Sequence, residues 1–207
     1  MEGVHIVFEN SLFYILAKDH GVACQSKTQN DIETAFGSAH FITRLDQPAA
    51  GLLVLAKNSE SAALLSAAMN KGLVQKKYVA LVEGVNVAKS GQLAHQLSKK
   101  GSKATAAQNH TGKSLLRYFV NEVLERYTML DIKIDTGKFH QIRVQLSSAG
   151  MPIKGDLKYG AKRSNKEGGI YLCCKRITLP DPETGLPLEW SINMSDFSLP
   201  LWKFYKE

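Results

Sequence analysis

Three cysteines in 207 residues are too few for a disulfide framework. Cys173 and Cys174 are adjacent in what reads as a strand, so their side chains should point to opposite faces. No C-x-x-C or H-x-x-x-H spacing accompanies them, so they are expected to be reduced, partly buried residues of a cytoplasmic protein without structural zinc. Long hydrophobic runs are missing as well. The longest, residues 49–56, has eight residues including Gly51, whereas a helical membrane span needs roughly 20. Residues 1–20 lack the basic start, apolar stretch and small-residue cleavage site of a secretory signal. No internal repeat, low-complexity tract or Pro/Ser linker marks a boundary, and a single domain over residues 1–207 is expected.

Several chemical signatures are also absent. Thr111-Gly112-Lys113-Ser114 ends like a phosphate-binding loop, but Ala107 stands where that loop needs its first glycine. No G-x-S-x-G elbow and no G-x-G-x-x-G after a strand is present. Asn109-His110-Thr111 and Asn193-Met194-Ser195 fit glycosylation acceptors, but without a secretory signal they are chance matches. The six histidines show no metal-ligand spacing, so a mechanism with no metal and no cofactor is expected.

What is present is an ordinary globular mixture, 44% hydrophobic and 22% charged, with 26 Lys plus Arg against 19 Asp plus Glu. The net charge of +7 favours a polyanionic partner, because neutralising phosphates releases condensed counterions. Lys99, Lys100 and Lys103 sit in a glycine- and serine-containing loop, and Lys154, Lys158, Lys162, Arg163 and Lys166 crowd a second one. On patterning alone, two solvated loops explain these charges better than a binding surface does.

Residues 5–9 and 13–18 read as a pair of short strands, and 19–40 as loop-rich. Residues 52–57 fit a short buried strand. A helix over 59–71 follows, with Ala62, Leu65 and Met69 at helical spacing, a cap at Asn58 or Ser59 and a stop at Gly72. Further strands are expected over 77–83, 104–110, 115–123, 127–134, 170–179 and 188–194. A second helix over 139–149 carries Phe139, Ile142, Leu146 and Ala149 on one face. Runs of strands with only two clear helices predict an α+β domain with a mixed, largely antiparallel sheet and a few flanking helices.

Three segments place polar groups where a bland core would not. Arg44-Leu45-Asp46 leads through Pro48 and Gly51 into the buried strand, and a carboxylate at such a mouth is costly unless paired or used. Lys77-Tyr78-Val79-Ala80 carries a tyrosine in an apolar strand. Thr136-Gly137-Lys138-Phe139-His140-Gln141-Ile142-Arg143 runs into Gly150-Met151-Pro152-Ile153-Lys154-Gly155-Asp156 and Tyr159-Gly160, with His140 and Arg143 on one helix face. Taken singly, a turn-forming Asp, a core aromatic and a solvated helix face account for them.

Together, in this order, the segments resemble the RluA-type pseudouridine synthase family, with its R-L-D, K-x-Y-x-A, T-G-(R/K)-x-H-Q-I-R and G-x-P-I-x-G-D-x-x-Y-G motifs. The resemblance spans residues 44–160 and continues more weakly over 4–21 and 172–188. It implies a pseudouridine synthase-like fold and cofactor-free isomerisation of uridine in structured RNA, ribosomal or transfer. By similarity Asp46 is the catalytic carboxylate, Arg143 its ion-pair partner, and Tyr78 the group that stacks on the base and takes the proton from carbon 5. Arg44 matches the arginine that fills the space a flipped base leaves, with Leu45 beside it, while His140 and Gln141 shape the pocket. The chain departs from the family at Thr43 (usually His), at Ala49-Ala50 (usually Thr-Ser) and at Lys18-Asp19-His20-Gly21 (usually Lys-Pro-x-Gly). No room remains before residue 5 for the S4 RNA-binding domain of many relatives, so a monomeric catalytic domain standing alone is expected. Two rivals stand beside this expectation. One is a catalytically silent RNA-binding or chaperone-like protein on the same fold. The other is a nucleoside hydrolase, which would need Asp135 or Asp156 to activate water.

Overall fold

The structure, a computed structural model, describes residues 1–26, 31–108 and 114–207. In chain order the elements are β1 (Val4–Glu9), β2 (Phe13–Lys18), α1 (Ile32–Phe36), β3 (His40–Phe41), β4 (Ala50–Ala56), α2 (Ser59–Asn70), β5 (Gln75–Glu83) and β6 (Ser90–Lys100). There follow β7 (Lys103–Gln108), β8 (Ser114–Val123), β9 (Tyr127–Ile134), α3 (Gln141–Ser148), β10 (Leu172–Pro180) and β11 (Pro187–Ser191). The chain divides into two compact units, Met1–Lys76 with Cys173–Phe197, and Lys77–Leu172 with Ser198–Glu207. Strands dominate, pair mostly antiparallel and carry few helices, the α+β class expected from the sequence. No helix among the described residues is long and apolar enough to cross a membrane.

In the first unit, Asn10 makes the β1–β2 turn: its side-chain oxygen accepts from the N–H groups of Leu12 and Phe13 at 2.9 and 2.8 Å. β2 then pairs antiparallel with β4 from Gly51 to Ala56, and β10 runs parallel to the start of β4. All seven residues of β4 are buried, which explains why its sequence is continuously apolar rather than alternating. Leu52, Leu53, Val54 and Leu55 are each at most 1% exposed, and burying each contributes about 1.5–3 kcal/mol. The strand starts at Ala50, two residues before the sequence suggested, because Gly51 (φ +114°) lets the backbone of β10 approach closely. A Cβ there would stand 2.5 Å from the backbone nitrogen and oxygen of Cys174. α2 is capped by Asn58, whose oxygen accepts from Ser61 N–H at 2.9 Å. The loop-rich stretch 19–40 also holds α1, started by Asp31, which accepts from Thr34 N–H at 2.8 Å.

The second unit is built on antiparallel strands in the order β5-β9-β8-β6-β7. β6 was not expected. Its Gln, Ser and Lys residues read as loop, but Leu93, His95 and Leu97 alternate on one face, which is covered, while Gln92, Gln96, Ser98 and Lys100 on the other are exposed. The lysines placed in a loop therefore belong to a hairpin: Lys100 pairs with Lys103 across Gly101-Ser102. The strand expected over 104–110 is β7, of which residues 109 and 110 lie outside the described residues, as do Asn109-His110-Thr111 and most of Thr111-Gly112-Lys113-Ser114. α3 packs on β6, β7 and β8 and is buried from Gln141 to Leu146 without a break, so it has no solvated face. It begins two residues later than expected because His140 takes φ +53°, a left-handed conformation that ends the preceding turn. Phe139 and Ala149, assigned to its apolar stripe, are exposed and outside the helix.

Candidate active site

In the first unit, Asp46 is half-buried in the turn before β4, which closes when Ala49 N–H donates to the Asp46 carbonyl at 3.0 Å. Arg44 is exposed and donates to Gln25 Oε1 at 2.6 Å. Leu45 is half-buried, and its carbonyl accepts from the thiol of Cys24. Thr43, which stands in place of the family's histidine, is spent on the sheet: its Oγ1 accepts from Val54 N–H at 2.9 Å.

The residue that holds this turn is Lys18, at the end of β2. It is fully buried, and its ammonium donates to the carbonyls of Asp19 (3.1 Å), Gln47 (3.3 Å) and Ala49. Two of these three oxygens belong to the segment that follows Asp46. Burial pushes the Lys18 pKa down from 10.5 to about 8, against the opposing pull of Cys24, Asp46, Asp19 and Cys173. The unfolded chain keeps that proton up to pH 10.5, while the folded chain loses it near 8. Between those values the unfolded state binds more protons, so stability climbs with pH; below pH 8 the cost is present in full. Relative to Lys18→Met, the parent should gain on the order of 3 kcal/mol of unfolding free energy from pH 8 to 10.5. Urea titrations at several pH values check this, and parallel pH profiles for the two proteins would refute it.

In the second unit, Tyr78 lies in β5 opposite Ile132 of β9 and is only 6% exposed. The segment 152–154 runs along β5: Glu83 N–H donates to the Pro152 carbonyl and Lys154 N–H to that of Leu81. This brings the glycine-rich turn to the strand that carries Tyr78. At the end of that turn Asp156 receives two parallel hydrogen bonds from Arg143, Nε to Oδ2 at 2.6 Å and Nη2 to Oδ1 at 2.8 Å. The pair is buried, with side-chain exposures of 4% and 1%. Gly155 before it is obligatory: φ is +91°, and a Cβ would collide with the Asn165 side chain.

Tyr159 joins the surrounding pieces. The Arg143 guanidinium lies over its ring at 5.0 Å, while its hydroxyl accepts from Ala104 N–H and hydrogen-bonds His140 Nδ1, both at 2.7 Å. Gln141 is buried and holds the 136–141 turn. Its Oε1 accepts from the Thr136 hydroxyl and Lys138 N–H, and its Nε2 donates to the Leu115 carbonyl. Lys154, counted among the loop cations, is instead a structural group, bonded to Asn165 and lying over the rings of Tyr171 and Tyr127.

Sequence reasoning assigned no such part to Lys18 in the first unit, or to Asp156 and Tyr159 in the second. Their signals were a lysine ending the apolar strand Phe13–Lys18, and the aspartate and tyrosine of the G-D-x-x-Y-G motif. Among the described residues no three His, Cys, Asp or Glu side chains group as a metal site. Cys24 and Cys173 have their thiol pKa raised by burial, which disfavours thiolate chemistry at both.

Residues 12–148 match the family described as RNA pseudouridylate synthase. Ribosomal large subunit pseudouridine synthase D of Haemophilus ducreyi is 32% identical over 132 residues, 63% of this chain and 40% of that protein. The uncharacterized RNA pseudouridine synthase YlyB of Bacillus subtilis is 30% identical over 154 residues, 72% of this chain and 50% of that protein. The chain thus spans about half the length of the curated relatives it matches. In fold it is similar to human RNA pseudouridylate synthase domain containing 1, with a TM-score of 0.76 and 22% identity over 92% of this chain and 83% of that one.

Proposed function

The chain belongs to the RNA pseudouridylate synthase family, in its RluA-type branch, and from that premise we propose that it isomerises uridine in structured RNA to pseudouridine, residues 1–207 acting as one catalytic domain. The observation that carries this is that the family match contains Asp46, Tyr78 and Arg143, each within its own motif. Ribosomal RNA is the favoured substrate over transfer RNA, since the Haemophilus ducreyi relative is named for the large ribosomal subunit. Three thiols with no disulfide suit a cytoplasmic setting.

The chemistry conserves every atom. The target uridine leaves its stack, at a cost of a few kcal/mol, and Arg44 takes the space it vacates. Asp46 acts as the carboxylate through which the N1–C1′ bond is broken. The uracil turns within the site, C5 bonds to C1′, the proton leaves C5 and N1 ends protonated. No electrons are exchanged with a second reagent, so the reaction requires no cofactor. Tyr78 stacks on the base and receives the C5 proton. Arg143, fixed in place by Asp156, is the cationic member of the catalytic set. His140 and Gln141 set the shape of the pocket through the bonds that fix the 136–141 turn and Tyr159.

The test is incubation with RNA labelled with tritium at C5 of uridine, followed by digestion to nucleosides. Tritium should reach water in step with the appearance of pseudouridine. Release of free uracil without pseudouridine would replace the isomerase by a hydrolase. Tight binding of ribosomal and transfer RNA with no release from either would leave an RNA-binding protein.

A further inference from the structure

The positive excess of this chain is not spread evenly. Residues 84–121 contain five lysines, one arginine and no aspartate or glutamate, while the other 169 residues carry 20 basic and 19 acidic side chains. One acid-free run therefore holds six of the seven excess charges. Within it, Lys99, Lys100 and Lys103 are exposed at the tip of the β6–β7 hairpin, where Lys100 and Lys103 face each other across a two-residue turn. Like charges directly opposite on paired strands, as Lys100 and Lys103 are, repel one another, and a polyanion relieves that cost.

The hairpin is fastened at its foot. Ala104 packs with Val144 of α3 and with Tyr159, and its N–H donates to the Tyr159 hydroxyl that also bonds His140. Beside this anchor the Phe139 ring stays 42% exposed. His140 stacks on it with ring centroids 3.7 Å apart, and the Lys99 ammonium lies 4.9 Å from its centroid. A lysine on a flexible stem is a replaceable cover: it can yield the ring to an incoming base and move onto a phosphate. Exposed phosphates and unstacked bases occur together on single-stranded RNA, which makes it a better occupant than an acidic peptide.

We propose that the tip of the β6–β7 hairpin and the Phe139 ring form a grip for a single-stranded stretch of RNA flanking the target uridine. Lys99, Lys100 and Lys103 hold its phosphates and Phe139 stacks under one of its bases. The inference rests on the RNA-modifying function proposed above and adds to it the element that captures substrate, together with an anchor, Tyr159, shared with Arg143.

The experiment is filter binding of a 12-nucleotide oligouridine and of ribosomal RNA by the full chain at several salt concentrations. The parent is compared with Phe139→Leu, Phe139→Trp and the triple variant Lys99→Ser/Lys100→Ser/Lys103→Ser. The triple variant should bind more weakly, with a slope of log affinity against log salt shallower by about 2, as three lost single-strand phosphate contacts require. Phe139→Leu should weaken binding about 5- to 100-fold at unchanged slope, and Phe139→Trp should restore it. Parent-like affinity and slope in the Leu and triple variants would overturn the grip. So would a Trp variant as weak as the Leu variant, which would make Phe139 a packing residue, or equal competition by polyglutamate insensitive to Phe139. Tritium release run in parallel separates the two inferences. An active parent with indifferent variants removes the grip alone, and a parent that binds through these residues without releasing tritium removes the isomerase alone.

Discussion

Asp46→Asn should lower the rate of tritium release by about 10⁴-fold or more while leaving the protein folded and RNA affinity within a few-fold of the parent. Asparagine keeps the size and planarity of the side chain but removes the charge and the nucleophilic oxygen. The turn that presents the residue depends on the main chain, through the Ala49 N–H donated to the Asp46 carbonyl, so it survives the change. The Lys18 clamp survives as well, since it too grips carbonyl oxygens, those of Asp19, Gln47 and Ala49. Lengthening the side chain is a stricter version of the same test. Asp46→Glu retains the charge but moves the oxygens by about 1 Å, a displacement that costs on the order of 10²-fold where the reacting atoms must already be aligned. Single-turnover rates at saturating enzyme, with circular dichroism and filter binding as controls, measure all of this. A variant with Asn at position 46 that keeps more than about one hundredth of the parent rate would remove Asp46 from the chemistry.

What the sequence disclosed and what it concealed divide along one physical line. β9 is legible to the residue, Tyr127–Ile134, and α2 to within one, because alternation and capping are carried by neighbouring residues. The β6 strand was hidden because one face is Gln, Ser and Lys apart from Ala94, and the other carries only Leu93, His95 and Leu97 between Gly91 and Lys99. The start of α3 was misplaced because nothing in Phe139-His140 announces a left-handed backbone at a histidine. The site shows the same division more sharply. Asp46, Tyr78 and Arg143 stand out only as an ordered set of motifs, and each alone yields to a simpler explanation. The groups that hold the candidate residues within each unit act across the chain: Lys18 reaches carbonyls 29 and 31 residues away, Asp156 lies 13 residues from Arg143, and Tyr159 lies 55 from Ala104. No periodicity encodes such partners. Charge was informative only in bulk, since the same count of lysines includes Lys154, tied down over two tyrosines, and Lys99, out on a hairpin tip.

Asp156→Asn should destabilise the fold by about 3–5 kcal/mol, read as a lowered urea midpoint at unchanged slope, and should also abolish most of the activity. The reason is the asymmetry of buried ion pairs. Taking both charges out of water is expensive, and two short parallel hydrogen bonds at 2.6 and 2.8 Å recover much of that cost. Removing the carboxylate charge leaves a guanidinium that is 4% exposed, that keeps its own charge at any accessible pH, and that loses the partner built to match its fork. The double variant Arg143→Met/Asp156→Leu removes both charges and fills similar volume. It should therefore be more stable than Asp156→Asn, near the parent or above it, and still inactive. That combination, stability recovered and rate not, would establish that the pair is kept for the charge it delivers to the reaction and not for the strength it lends the fold. A double variant no more stable than the single one would reverse that conclusion, making the pair a structural strut between α3 and the turn at Gly155. A cost below about 1 kcal/mol for Asp156→Asn would show instead that the surrounding groups neutralise Arg143 without Asp156.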